Sequence, residues 1–263
     1  PSLKNLEIIQ PEVTSYVYDR YGNEQVRLFE EQNRIEIKLE DIPLITQRAF
    51  IAIEDERFYD HIGFDTRGIL RAIWALLRKQ SLEGPGGSTI TQQLVRDAFL
   101  TKEKTIERKI KEIWLAIKME QQYTKEEILE MYLNRIYFAH GAYGLEAAAQ
   151  TYFNKNAANL TLAESALLAG ILPAPNLYSP IVNIDLAKER QSIVLNKMVE
   201  LGYISAEEAA KAKSEELSFG EPPSREYPFP YFMDYLLHHE LINILTASGL
   251  YDSREEAYDA VYT

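Results

Sequence analysis

Glu54-Asp55-Glu56-Arg57-Phe58-Tyr59-Asp60-His61-Ile62-Gly63-Phe64-Asp65 follows directly on the apolar run Phe50-Ile51-Ala52-Ile53. A helix continued through this segment would set Glu54, Phe58 and His61 on one face, at i, i+4 and i+7. A carboxylate at the edge of apolar surface holds its proton more tightly, which suits a general base. On its own the segment reads better as an acidic helix end whose carboxylates cap neighbours or pair with Arg57. Asp55 and His61 read as structural, holding the loop that follows, because a lone His is more often a hydrogen-bonded core residue than a ligand. Upstream, Asp41 is placed to cap a helix with Pro43 in its first turn, carrying Leu44, Ile45, Ala49, Ile51 and Ala52 inward.

Working outward, residues 12–39 read as strands: Val13 to Tyr18, a turn at Asp19-Arg20-Tyr21-Gly22-Asn23, then Val26 to Phe29 and Ile35 to Leu39. Downstream the signal is helical, over 66–79, 88–99, 104–122, 124–132, 142–152, 161–171, 185–201 and 205–213. Glu221-Pro222-Pro223-Ser224 is the best linker signal. It divides a domain at 1–220 from a connector at 221–263.

Four further segments carry candidate chemistry. Gly86-Gly87-Ser88-Thr89-Ile90-Thr91-Gln92-Gln93-Leu94-Val95-Arg96 is a glycine-rich loop entering a helix that Ser88 can cap. Free N–H groups there suit an anion, and Gln92 and Arg96, at i and i+4, can reach one ligand together. No Gly-Lys-Ser/Thr follows, so this is not a nucleotide P-loop. In Arg108-Lys109-Ile110-Lys111-Glu112 a second carboxylate sits among cations on one helix face. The block Tyr132 to Phe153 reads chiefly as close-packed architecture, with Asn134 and Tyr143 as candidate ligand contacts. Ile69 to Lys79 is apolar, with Arg67, Arg71 and Arg78 at helical spacing; alone it reads as an ordinary core-facing helix, and the alternative is a basic amphipathic helix at a membrane interface.

Composition narrows the field. The 263 residues are 46% apolar and 26% charged, as in an ordinary folded protein. The net charge of −12 argues against nucleic acid as a partner. Residues 62–118 nevertheless hold eleven basic and six acidic side chains, a basic face on an acidic chain. With no Cys there is no disulfide scaffold, thiolate metal site or cysteine nucleophile. No metal site has trustworthy ligand spacing. The chain opens Pro1-Ser2 and ends Tyr262-Thr263 just past a helix-like run. It therefore reads as a piece of a longer polypeptide, with a signal or anchor expected upstream.

In their order and spacing these motifs resemble the peptidoglycan glycosyltransferase family, glycosyltransferase family 51, as found in class A penicillin-binding proteins and monofunctional transglycosylases. The resemblance rests on Glu-Asp-x-x-Phe-x-x-His-x-Gly-x-Asp, Gly-x-Ser-Thr-Ile-Thr-Gln-Gln, Arg-Lys-x-x-Glu and the Tyr-Leu-Asn block. Ala163 to Pro180 looks like a fifth motif, and the resemblance spans residues 12–200. Tyr227 to Tyr235 resembles a connector toward a transpeptidase domain, but no Ser-x-x-Lys, Ser-x-Asn or Lys-Thr-Gly set is present.

The resemblance implies a mainly α, lysozyme-like, two-lobed fold with a short N-terminal β element. A small membrane-facing jaw is implied over residues 62–110, with Ile69, Ile73, Trp74 and Leu77 toward lipid. It implies polymerisation of lipid II into β-1,4 glycan with inversion and release of undecaprenyl diphosphate. Glu54 matches the family's base and Glu112 its second essential Glu. Ser88, Thr89, Gln92, Gln93, Arg96, Arg108, Lys109, Lys111 and Asn134 are the implied substrate contacts. Asp55 and His61 stand as structural at the site. No cofactor is required, with room left for a divalent cation (Mg or Mn). Implied partners are lipid II, the growing strand, membrane lipids, other wall-building proteins and the inhibitor moenomycin, at the outer face of a bacterial cytoplasmic membrane. Two departures stand out: the family often has Lys-Asn where this chain has Arg96-Asp97, and often Gly where Ala139 sits. A lysozyme-class hydrolase or lytic transglycosylase is the first rival, since paired carboxylates also cleave glycans. A non-enzymatic lipid-binding domain is the second.

Overall fold

Pro43, with its fixed backbone torsion, opens the first long helix, α1 (Leu44–Glu54), and its carbonyl accepts the N–H groups of Thr46 and Gln47. Asp41 does not cap this helix, as the sequence suggests; it closes a 3-10 turn at Leu39–Asp41 instead. The computed structural model describes residues 15–18, 20–21, 24–28, 33–65, 88–99, 106–220, 235–251 and 253. The chain is mainly α. β1 (Ser15–Tyr18) and β2 (Glu24–Leu28) form an antiparallel ribbon. β3 (Asn33–Arg34) pairs in parallel with β4 (Ala142–Tyr143). The strand expected over Ile35 to Leu39 does not form, because Asn134 takes both the N–H and the C=O of Ile37 and Glu130 takes the N–H of Leu39.

After α1 come α2 (Ile90–Phe99), α3 (Ile106–Gln122), α4 (Lys125–Leu133), α5 (Leu145–Phe153) and α6 (Leu162–Ile171). A single turn, α7 (Pro175–Tyr178), leads to α8 (Ile184–Glu200), α9 (Ala206–Ser214) and, beyond a π-helical turn at Leu236–Leu241, α10 (Ile242–Ala247). The starts of α4, α6 and α9 are written locally: Thr124–Glu127, Thr161–Glu164 and Ser205–Glu208 each form a reciprocal capping box.

α6 is buried from Ala163 to Ile171 and forms the centre of the core; its two polar side chains, Glu164 and Ser165, are hydrogen-bonded. α1 packs on it, burying Ala49, Phe50 and Ala52 in the core, and the hydroxyls of Thr46 and Ser165 meet at 2.8 Å between the two helices. α8 lies close against α6 at Gly170, where a Cβ would stand 2.9 Å from the Arg190 backbone. α2, α3 and α4 form the second packed group, with Leu94, Leu115, Met119 and Leu129 buried. Residues 215–220 return to α5: the Gly220 N–H donates to Tyr152 O at 2.8 Å, and Phe219 packs on Phe153.

The helix expected over 66–79, most of the jaw segment and the stretch 221–234 of the connector lie outside the described residues. So do Ile69, Ile73, Trp74 and Leu77. Among the described residues no helix is long and apolar enough to cross a membrane.

Candidate active site

α1 ends at Glu54 because Asp55 leaves helical space (φ −159°, ψ 73°). Phe58 and His61 therefore do not share a helical face with Glu54, as the sequence spacing suggests. Phe58 goes into the core and His61 turns back to Asp55. The Asp55 carboxylate explains the break: one oxygen, Oδ2, accepts from His61 Nε2 at 2.8 Å and from the Ile90 N–H of α2 at 3.0 Å. His61 Nδ1 accepts the Gly63 N–H at 3.1 Å, which leaves Nε2 as the donor to Asp55. Gly63 carries φ +98° and a Cβ there would stand 2.7 Å from the Ala116 backbone, so only glycine closes this turn on α3. Asp55 and His61 thus join α1 to the start of α2.

The start of α2 differs from its sequence reading by one residue. Thr89, not Ser88, is the cap. Its hydroxyl accepts the Gln92 N–H at 3.1 Å, and Gln92 Oε1 accepts the Thr89 N–H at 2.9 Å. The Thr89 hydroxyl also donates to Gly63 O at 2.7 Å. Gln92 is consequently a buried capping residue, and the structure does not bring its carboxamide out beside Arg96. Ser88 is taken from the cap by Lys109, whose Nζ donates to Ser88 Oγ at 2.9 Å.

One helical turn on from the cap, Gln93 reaches Glu54, its Nε2 donating to Oε2 at 2.6 Å. Burial raises the affinity of Glu54 for its proton above that of an ordinary carboxylate, and the nearby charge of Asp55 adds to it. The Gln93 hydrogen bond and the Arg190 and Arg96 charges partly offset the rise. The buried Tyr132 feels the Glu54 charge too, and burial first, then Glu54, pushes its phenol well up. The sequence expectation of a carboxylate with raised proton affinity at this position holds.

Arg190, on α8, was absent from the sequence-derived candidates. It comes to the site because Gly170 lets α8 approach α6; Arg190 Nε donates to Gly170 O at 3.1 Å and its guanidinium lies over the Tyr178 ring. The only sequence signal for it is the small-residue pair Ala169-Gly170, which marks close helix contact rather than chemistry.

Glu112, on α3, is 1% exposed. Lys109 contacts its Oε1, and Arg108 Nη1 stands 3.8 Å from Oε2. The expected cluster of two cations around a second carboxylate is therefore present, tied to Ser88 through Lys109. Lys111 is not part of it. One position before Glu112, it points about 100° away around the helix and pairs in solvent with Glu107 at 2.6 Å. Asn134 does not face this site either. Its Oδ1 accepts the Ile37 N–H at 2.9 Å and its Nδ2 donates to Ile37 O at 2.8 Å, so its side chain braces α4 to the N-terminal segment. Tyr143 lies under Arg34 and beside Tyr137. Arg96 is a further, half-buried cation, with its Nε on Asp97 Oδ1 at 3.2 Å, so the acidic departure at 97 holds part of that guanidinium. At Ala139 the backbone is left-handed (φ 71°), as it is at the next two residues, so the departure from glycine there carries real strain.

No three His, Asp or Glu groups that could hold a metal ion meet among the described residues. A divalent ion at Glu112 would have to displace Lys109, so the donor set there does not fit one. The arrangement offers a carboxylate of raised proton affinity at Glu54, a cation cluster on α3 and the Ser88 hydroxyl just ahead of α2. That combination suits activating an alcohol and receiving an anionic leaving group.

Comparison with known proteins identifies the family. The family model described as transglycosylase matches residues 22–199. The chain belongs to the transglycosylase family. Family membership bears out the motif resemblance, and with it an enzyme of the glycosyltransferase class. The chain is 44% identical over 224 residues to penicillin-binding protein 1F of Bacillus subtilis (strain 168), covering 85% of this chain and 31% of that protein. It is 40% identical over 244 residues to penicillin-binding protein 1A of Escherichia coli (strain K12), covering 92% of this chain and 28% of that one. Penicillin-binding protein 1A from Haemophilus influenzae, a crystal structure, aligns with a TM-score of 0.49 at 25% identity, over 89% of this chain and 24% of the other. The chain thus spans about a third or less of the length of these relatives.

Proposed function

We propose that this transglycosylase domain polymerises lipid II into β-1,4 glycan strands, with inversion at the anomeric carbon and release of undecaprenyl diphosphate. The observation that carries the reading is the half-buried Glu54 carboxylate, held at 2.6 Å by Gln93 of α2, the helix whose preceding residue Ser88 meets the Lys109–Glu112 cluster. Glu54 takes the proton from the 4-hydroxyl of the incoming lipid II as its oxygen attacks the anomeric carbon of the growing chain. Lys109 and Arg108, with Arg96, neutralise the departing diphosphate, and Ser88 adds a hydroxyl. Glu112 holds Lys109 and Arg108 in place. One displacement inverts the α-linked diphosphate to a β link, and no glycosyl-enzyme forms.

Such a substrate places the domain at the outer face of a bacterial cytoplasmic membrane, among other wall-building proteins. A phosphoglycolipid such as moenomycin competes for the diphosphate site. The basic, apolar stretch bearing Ile69, Ile73, Trp74 and Leu77 rests against lipid, motivated by its Arg-flanked apolar sequence. Ile73→Glu combined with Trp74→Glu is expected to lower binding to anionic vesicles; unchanged binding would count against that contact. The reaction itself is tested by offering the protein lipid II or finished glycan. Growth of strands from lipid II and no shortening of finished glycan is the expected outcome. Cleavage of finished glycan without growth would return the lysozyme-class reading.

A further inference from the structure

Behind the site, on the side of α2 away from Glu54, lies a buried ionic cluster that the proposed chemistry does not use. Glu120 is in the last turns of α3 and Lys125 is the first residue of α4. Their side chains are 7% and 17% exposed and meet at 2.5 Å. Glu120 Oε1 accepts from the Thr91 hydroxyl of α2 at 2.6 Å and faces His61 Nδ1 at 3.7 Å. Lys125 Nζ lies 3.4 Å from the same His61 nitrogen and 4.6 Å over the Phe58 ring. The capping box at Thr124 and Glu127 fixes the backbone that carries Lys125. A buried ion pair is costly to build and contributes little net stability unless its remaining atoms are bonded. This one is bonded to both elements that set the base: to α2 through Thr91, and to the Asp55 turn through His61.

We infer that Glu120 and Lys125, acting through Thr91 and His61, are positioning residues that lock the first turn of α2 against the end of α1 and so keep Gln93 on Glu54. Four contacts converge on that turn: Asp55 to the Ile90 N–H, Gly63 O to Thr89, the Thr89–Gln92 box, and Glu120 to Thr91. The last comes from the α3–α4 pair. Shifts of about an ångström at a reacting group cost about 100-fold in rate, so loosening one of these four acts on turnover. The inference rests on the glycosyltransferase reading for its kinetic consequence, but not for its structural one.

The test uses the full chain with Thr91→Val, which cuts the link but keeps the ion pair, and Lys125→Met, which breaks the pair. The double variant Glu120→Gln with Lys125→Met removes both charges while keeping an acceptor for Thr91. Below their melting temperatures, both single variants are expected to lose about tenfold or more in kcat for lipid II, with apparent KM within about twofold. The double variant recovers most of the loss. Amide hydrogen exchange over 90–93 speeds up by about tenfold in Thr91→Val, while α6 and α8 keep their protection. Wild-type kcat in Thr91→Val and Lys125→Met would show a merely structural pair and overturn the inference. So would a double variant as slow as Lys125→Met, or unchanged exchange over 90–93. The exchange measurement needs no turnover. It decides the inference even where Glu54→Gln polymerises normally, a result that counts against the glycosyltransferase chemistry alone.

Discussion

In the proposed reaction Glu54 would serve chemistry at the expense of stability. Its proton is held above the ordinary carboxylate range, by burial first. In the window between the unfolded value near 4.5 and the raised folded value, the folded chain binds more protons than the unfolded one. The stability contribution of the group is therefore whole below that window and is lost as pH rises through it. Glu54→Gln, which keeps an acceptor for Gln93, should raise the melting temperature at neutral pH, and the gain should shrink toward pH 4. An equal gain at both pH values would contradict the assignment. Activity moves the other way, since a base must be deprotonated. Gln93→Met removes a bond that lowers the Glu54 value, so the acid limb of kcat/KM should move to higher pH.

At the level of elements, the turn that follows α1 closes tightly on α3 at Gly63. Gly63→Ala would drive a Cβ to 2.7 Å from the Ala116 backbone at φ +98°. A loss of at least about 2 kcal/mol in unfolding free energy is expected, measured by denaturant titration; a loss below about 0.5 kcal/mol would show that the turn gives way freely. The elements also divide by how far they can be read from residues alone. Helices whose starts are written locally, at Thr124, Thr161 and Ser205, fall within a residue of the sequence expectation, because a capping box is a short-range signal. Where two hydroxyls stand side by side, Ser88 and Thr89, the choice of cap is made by Lys109 from α3, and no local rule contains that. The same holds for the end of α1: Asp55 breaks the helix to reach Ile90, 35 residues on. Asn134 and Lys111 were misplaced for a related reason. The family resemblance implied them as substrate contacts, but Asn134 is engaged with Ile37 and Lys111 turns outward toward Glu107.

On the scale of the whole molecule, two packed groups of helices meet around Glu54. α1, α6 and α8 bring the carboxylate and Arg190; α2, α3 and α4 bring Gln93, the cations and Glu112. The motif order along the chain made the family legible, while Arg190, Glu120 and Lys125 needed the packing to be seen. An acidic chain of net charge −12 thereby presents cations at the site where the proposed anionic substrate would bind. The most direct test is polymerisation of labelled lipid II in detergent by wild type, Glu54→Gln and Glu112→Gln. Long glycan from wild type, none from Glu54→Gln and a strongly reduced yield from Glu112→Gln is the expected result. Glycan formed by Glu54→Gln at the wild-type rate would contradict Glu54 as the base.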